Sequence, residues 1–301
     1  MKISSLIIMF YLSLLTVKGQ NETNLLHFNY FSNQGASVQN HDFETLNNVK
    51  VSTRIYDFGL NYGHLIGKKG FQAFYSLDFL HYRQDLDLTD IHQDSVLRTI
   101  PENYYHIPTF SQVMLAGGLN KSLSKKWQAF GQFSLNLTDD ISRSKLANNL
   151  TWLTMLYLQK TPHKQFSYGF GAFFNQLENS LLAIPILSLS FQNGKRGLNV
   201  LFPQQVKFWQ RFGKTNYLDF KASFNSYSLE YNAQNITEGT DIYSFKTGLA
   251  YHYIWQNFLK FSFGVALPAD YFIVTTPDDI LYYSQRNSLQ FHFGVSLVLI
   301  D

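Results

Sequence analysis

Leu259-Lys260-Phe261-Ser262-Phe263-Gly264-Val265-Ala266-Leu267 sets a large apolar side chain at every odd position and a small or polar one between most of them. Side chains of a strand point alternately to its two faces, so this is a strand with one greasy face. The same alternation recurs along nearly the whole chain. Val51–Gly63 sets Tyr56, Phe58, Leu60 and Tyr62 against Ile55, Asp57, Gly59 and Asn61. The chain then returns with Ala73, Tyr75, Leu77 and Phe79 against Gln72, Ser76 and Asp78. Val113–Leu119 and Trp127–Leu137 repeat the cycle.

The connections alternate in length. Short turns are expected at 66–70, Ser124-Lys125-Lys126, Thr161-Pro162-His163, Asn193-Gly194, Gly213-Lys214-Thr215 and Trp255-Gln256-Asn257. Asn-Gly is the strongest of these signals, because a tight hairpin needs the positive φ that both residues tolerate. Long, polar connections are expected near 35–47, 83–109, 138–148, 176–183, 229–242 and 268–287. The short link at Phe202-Pro203-Gln204 breaks the rule, and its proline, with no N–H to donate, marks a strand end.

This rhythm predicts an all-β fold: a single transmembrane antiparallel β-barrel of about 14 strands, with 12 as the alternative. The first strand is placed at Leu25–Phe31 and the last at Ser288–Leu299. An even count with short turns on the periplasmic side and long loops outside is the pattern of outer-membrane barrels. A soluble sandwich has no reason to alternate its connections, and a soluble barrel of this size would enclose a lumen too wide to fill.

Composition agrees. Charged residues are only 15% of the chain and aromatics reach 17%, an unusual balance for a dispersed soluble protein. Past the N-terminus there is no apolar run of the roughly 20 residues a membrane helix needs. Residues 1–19 read as a signal peptide: Lys2, then the apolar Ile3–Val17, with cleavage near Gly19/Gln20. Residues 20–301 are then the barrel. Removing Lys2 and Lys18 leaves 22 basic against 21 acidic residues, so charge gives no support to nucleic-acid binding. The absence of cysteine excludes disulfides, thiol chemistry and an N-terminal lipid anchor.

Two stretches carry resemblances. His292-Phe293-Gly294-Val295-Ser296-Leu297-Val298-Leu299 resembles the C-terminal assembly signal of outer-membrane barrels, although the chain ends in Ile300-Asp301 rather than an aromatic residue. Ile184-Pro185-Ile186-Leu187-Ser188-Leu189 followed by Gly197–Pro203 resembles an uncharacterised family of Gram-negative outer-membrane β-barrel proteins. The resemblance implies fold and location and carries no substrate or catalytic residue.

With aromatic faces toward lipid, the lumen-facing candidates are Asp57, Asp78, Lys207, Arg211, Asp219, Lys221, Lys246, His252, Lys260 and His292. Pairing the 51–79 hairpin about residues 67–68 sets Asp57 opposite Asp78, two carboxylates that a cation, a proton or a nearby base must reconcile. Asp219 is expected opposite Arg211. A basic wall favours anionic solutes; cross-strand ion pairs filling the lumen are the plainer alternative. The inward glycines Gly59, Gly169, Gly171, Gly248 and Gly264 suggest room for a pore.

Neither His-x-Ser nor Gly-x-Ser-x-Gly occurs, and His81, His92 and His106 match no metal-site spacing. His92 with Asp90 and Asp94 fits a loop-borne protease composition only weakly. No catalytic residue, metal ligand or cofactor is expected. Tyr62, Trp127, Tyr253 and Trp255 read as interfacial girdle. The functional expectation is a passive channel or transporter for small solutes. The alternative is a non-conducting barrel that binds, adheres or supports through its outer loops. A hydrolase stands last. Expected partners are outer-membrane lipid and lipopolysaccharide, the barrel-assembly machinery, and small solutes.

Overall fold

The computed structural model describes residues 22–40, 50–66, 71–87, 109–140, 150–177, 180–233, 236–275, 280–286 and 288–300. The expected signal peptide, and Asp90, His92, Asp94 and His106, lie outside these residues. Every regular element described is a strand: β1 (Glu22–Asn40), β2 (Lys50–Ile66), β3 (Phe71–Asp87), β4 (Phe110–Ser122), β5 (Trp127–Asp140), β6 (Leu150–His163), β7 (Phe166–Leu177), β8 (Ser180–Gln192), β9 (Arg196–Phe202), β10 (Gln205–Arg211), β11 (Asn216–Ala233), β12 (Ile236–Trp255), β13 (Leu259–Thr275), β14 (Ile280–Arg286) and β15 (Gln290–Ile300).

Each strand pairs antiparallel with its sequence neighbours from β1 to β13, and β1 then pairs with β15 and β14, which pair back onto β13. The sheet is a closed ring. β14 and β15 lie end to end between β13 and β1, so 15 segments make 14 staves. Closure satisfies every ladder and leaves no edge for lipid to meet.

The outer surface is what a bilayer requires. Leu60, Tyr62, Tyr75, Leu77, Phe79, Leu115, Leu119, Phe133, Leu135, Phe220, Phe245, Leu249, Phe263 and Phe293 are exposed, while their chain neighbours on the other face are largely buried. A closed antiparallel sheet with an apolar exterior is a transmembrane outer-membrane barrel. Tyr62, Tyr253 and Trp255 stand exposed toward the short-turn end, and Lys160 lies 5.2 Å from the Trp127 ring there.

The turns at 124–126, 193–194, 213–215 and 255–257 fall where the sequence places them, whereas Thr161-Pro162-His163 belong to β6, whose turn is at Lys164-Gln165, and residues 67–70 lie outside the described residues. Gly194 takes φ 82°, and the Asn193 carboxamide accepts hydrogen bonds from the Lys195 and Arg196 amides at 3.3 and 3.1 Å. Gln256 and Asn257 take φ 49° and 62° between β12 and β13.

The long connections differ from expectation. Only residues 178–179 separate β7 from β8, and only 234–235 separate β11 from β12. The ladder also runs to Asn40, Asp87, Asp140 and Thr275, into stretches expected to be loops. Apolar alternation ends where the membrane ends, but backbone pairing needs no greasy face. The staves therefore rise beyond the apolar belt as polar hairpins.

Candidate functional site

Alternation sends one residue in two inward. On the walls from β10 through β13, β15 and β1 to β3 these inward residues are mostly polar, and they join into a belt. Lys207 Nζ lies 3.0 Å from Asp219 Oδ2, and His252 Nε2 lies 2.9 Å from the same oxygen. His252 Nδ1 meets Ser262 Oγ at 2.8 Å, and the Tyr217 ring stacks on the imidazole at 4.3 Å. Past Gly294 the belt resumes at Asn29, whose Oδ1 is 3.2 Å from His292 Nε2 and whose Nδ2 donates to Asp57 Oδ2 at 2.9 Å. Asp57 also lies 3.5 Å from His27 Nε2. Lower on the same wall, Lys260 donates to Asn24 Oδ1 at 2.8 Å.

Gly294 is small for a reason: a Cβ there would stand 2.4 Å from Asn29 Oδ1. Likewise a Cβ on Gly59 would meet His27 and Asp78 at 2.2 and 2.3 Å, so these two side chains close over the glycine.

Two expected pairings are corrected. Asp57 is registered with Leu80, and Asp78 with Gly59, so the carboxylates are offset by two residues rather than facing. The hairpin centre sits one residue later than the turn sequence suggests, a shift that preserves the faces and so leaves the hydrophobic pattern blind to it. Asp219 is registered with Trp209, not Arg211, and Arg211 with Tyr217. Arg211 instead lies 5.9 and 5.8 Å from the Trp209 and Tyr217 rings. Lys207 and Lys221 are directly opposite, with Lys221 solvent-exposed on the same face as the buried Asp219. Lys246 lies 4.6 Å over the Phe31 ring, which stacks on His292 at 4.5 Å.

Inside β3 to β9 the inward side chains are mixed: Gln112 donates to Thr138, Gln132 to Ser134 and Gln159 to Ser167, all buried, beside an apolar cluster. Phe74, Phe130, Leu153, Met155, Tyr157, Phe173, Ile186 and Leu201 pack as one buried cluster inside β3 to β9. The inward glycines make room for this packing, not for a pore. Phe74 is registered with Gly118 and Trp209 with Gly197, each ring lying against a residue with no Cβ, and the Tyr157 ring lies over Gly169. Gly248 and Gly264 are likewise closed by Ala266 and Ala250. Cα atoms of β5 and β11 come within 8 Å of each other across the interior, so the ring is flattened.

Several residues of the site escaped the sequence reading. His27 and Asn29 lie on the inner face by the alternation that sets Leu26, Phe28 and Tyr30 outward. Asp270, which accepts from Ser244 Oγ at 2.5 Å, was hidden in the stretch 268–287 expected to be a long connection. The apolar cluster had a signal as well: Leu153–Leu158 contains only one polar residue, the mark of a strand covered on both faces.

Asp219, His252 and Ser262 lie within hydrogen-bond distance in the order of a hydrolytic triad. An acyl-transfer centre also needs free donors for an oxyanion and access to the nucleophile. Here Ser262 is buried, its backbone is paired on both sides with β12 and β15, and Lys207 engages the carboxylate. The set acts as a strap across β10–β13. Among the described residues no group of three or more His, Asp or Glu is disposed to hold a metal ion.

No characterised protein matches the chain in sequence. Among solved structures it is similar to an outer membrane channel from Pseudomonas putida F1, at 8% identity over 92% of this chain and 96% of that one, with a TM-score of 0.43. It is also similar to the P. putida toluene transporter TodX (9% identity, 92% and 90% covered, TM-score 0.37). The KdgM porin in complex with disordered oligogalacturonate is similar at 7% identity (89% and 98% covered, TM-score 0.33). The family described as "Domain of unknown function (DUF6268)" matches residues 100–273, more than half of the 301, and the chain belongs to that family.

Proposed function

We propose that the protein is a passive channel for small solutes, with a narrow polar conduit running beside a packed apolar cluster and a preference for anions. Lys221 carries the reading. It shares the inner face with Asp219 and is nonetheless exposed, which requires water inside the ring, and no carboxylate pairs with it among the described residues. An unpaired cation in a confined aqueous path raises the local concentration of anions and repels cations. Of the candidate residues, Lys221 and Lys246 set selectivity in this reading, whereas Asp57, Asp78, Lys207, Asp219, His252, Lys260 and His292 build the wall. Export removes residues 1–19, the assembly machinery reads the last strand, and the aromatic belt rests in lipid and lipopolysaccharide. The Pro185–Pro203 strand pair serves as a family mark.

The packed cluster inside β3 to β9 supports a second reading, a non-conducting barrel that works through its outer hairpins. Single-channel recording of the refolded mature protein in a planar bilayer separates the two. Step-like currents with an anion-selective reversal potential, shifted toward cations by Lys221→Glu and by Lys246→Glu, are the expected result. A silent bilayer, with folding verified by heat-modifiable gel mobility, removes the channel reading and leaves the second.

A further inference from the structure

Basic residues are unevenly placed around the molecule. The four turns between β4 and β11, with the strand ends that enter them, cover 119–128, 159–166, 191–197 and 210–217. Each carries two or three Lys or Arg, and none contains an Asp or Glu. They are neighbours around the ring, at the end with the short turns, which faces the periplasm. The turn across the ring, Tyr253–Lys260, has only Lys260, and its ammonium is engaged by Asn24 Oδ1 at 2.8 Å. At the outer end the signs are mixed: Arg54 and Arg83 lie 3.9 and 2.9 Å from Asp85. The whole chain has a net charge of only +3, so the basic rim is a matter of placement.

The cations of this rim are held in place. Lys121 is registered with Phe71 and Lys160 with Trp127, and their ammonium groups lie 4.7 and 5.2 Å from the two ring centroids. The alternation that turns Gly118 and Gln159 inward turns both lysines outward, to the face that meets lipid. Backbone pairing continues into the turns: the Thr161 amide donates to the Lys126 carbonyl at 2.8 Å and the Arg211 amide to the Lys195 carbonyl at 2.6 Å. Ser124 Oγ accepts from the Lys126 and Trp127 amides at 3.3 and 3.2 Å. Among the charges stand two apolar tips, Leu123 and Phe212, 53% and 61% exposed.

We propose that the rim from β4 to β11 is a docking surface for the headgroups of anionic phospholipids in the periplasmic leaflet. Lys121 and Lys160 lay their stems along aromatic rings and present their charge to the phosphate, and Lys125 and Lys126 strengthen the local field. Each cation near a membrane surface adds attraction for anionic lipid, and a run of them with no acid between adds up. The outward lysines and the apolar tips favour a leaflet over a soluble polyanion, which would leave Leu123 and Phe212 in water. The sector closed by Trp255-Gln256-Asn257 has the aromatic anchors without the charge, so the lipid shell is sorted on one side of the barrel. This surface lies outside the lumen, and conduction has no bearing on it.

The chain has no cysteine, so a bimane fluorophore can be placed at one site. Leu123→Cys puts it on the basic rim, and Phe258→Cys puts it on the β12–β13 turn as a control, both positions being exposed. Each labelled protein is folded into phosphatidylcholine vesicles holding a trace of nitroxide-labelled phosphatidylglycerol or equally labelled phosphatidylcholine, with heat-modifiable mobility verifying every variant. At 123 the anionic lipid is expected to quench about threefold more than the neutral one, and at 258 equally. The preference at 123 should vanish when Lys121→Gln, Lys125→Gln, Lys126→Gln and Lys160→Gln are combined, and persist in the four Lys→Arg replacements. It should also vanish in about 1 M salt, where the screening length falls to about 3 Å. Equal quenching by the two lipids at 123, the same preference at 258, or a preference that survives removal of the four charges overturns the docking surface. Loss of lipid preference together with charge-dependent sedimentation on isolated peptidoglycan would give the rim to a cell-wall polyanion and overturn it equally.

Discussion

Asp219 receives Lys207 and His252 on one oxygen, and this makes it the most consequential polar residue of the wall. Asp219→Ala leaves a buried imidazole and a lysine without their anion and should destabilise the barrel by about 3 kcal/mol. Ser262→Ala removes one neutral hydrogen bond and should cost about 1 kcal/mol. Denaturant unfolding in lipid vesicles measures both. Neither variant should change the hydrolysis of activated esters from its background rate; an esterase activity lost in both would make the strap a catalytic triad. The glycines follow the same logic of contact. A Cβ on Gly171 would lie 2.1 Å from the Leu156 carbonyl oxygen, a backbone atom that cannot swing away. Gly171→Ala should therefore cost about 1–3 kcal/mol, read as a lower unfolding midpoint, whereas Gly213→Ala, where nothing stands within 4 Å, should be near neutral.

Among the elements, the β11–β12 hairpin departs furthest from the pattern read in the sequence. Its pairing continues from Asn216 with Tyr253 to Ala233 with Ile236, through the stretch expected to be a loop. Amide hydrogens of 229–233 should then exchange far more slowly than those of an unpaired loop, although they stand beyond the apolar belt. Exchange at the free-peptide rate would shorten these strands to the lengths that apolar alternation suggests. Reading strands by their greasy face finds the membrane-crossing part of each element and stops there. Above that height side-chain chemistry no longer distinguishes a paired strand from a solvated loop.

For the molecule as a whole, the interior combines apolar clusters with buried polar side chains around the ring. A 14-stave ring with an empty lumen would conduct strongly; this one, flattened and packed inside β3 to β9, should conduct weakly. Phe173→Ala and Tyr157→Ala together should raise single-channel conductance severalfold while costing about 3–5 kcal/mol each in stability. Conductance unchanged by the pair would mean that ions pass only along the polar wall, and a cooperative loss of folding would show that the core is needed for closure.

The sequence by itself determined the class of fold, the number of staves and most of the described short turns. All of these follow from local facts: period two along a strand, positive φ at Asn-Gly, an apolar face wherever lipid must be met. Only the tertiary structure decided who meets whom. Asp57 lies beside Asn29 and not opposite Asp78, Asp219 holds Lys207 and His252 instead of Arg211, and the Tyr157 ring fills the space above Gly169. A two-residue slip of register preserves every face while changing every partner, so hydrophobic alternation cannot detect it. The register shifts of β1 against β2 and of the final stave against β13 become visible only when the partners are counted around the closed ring.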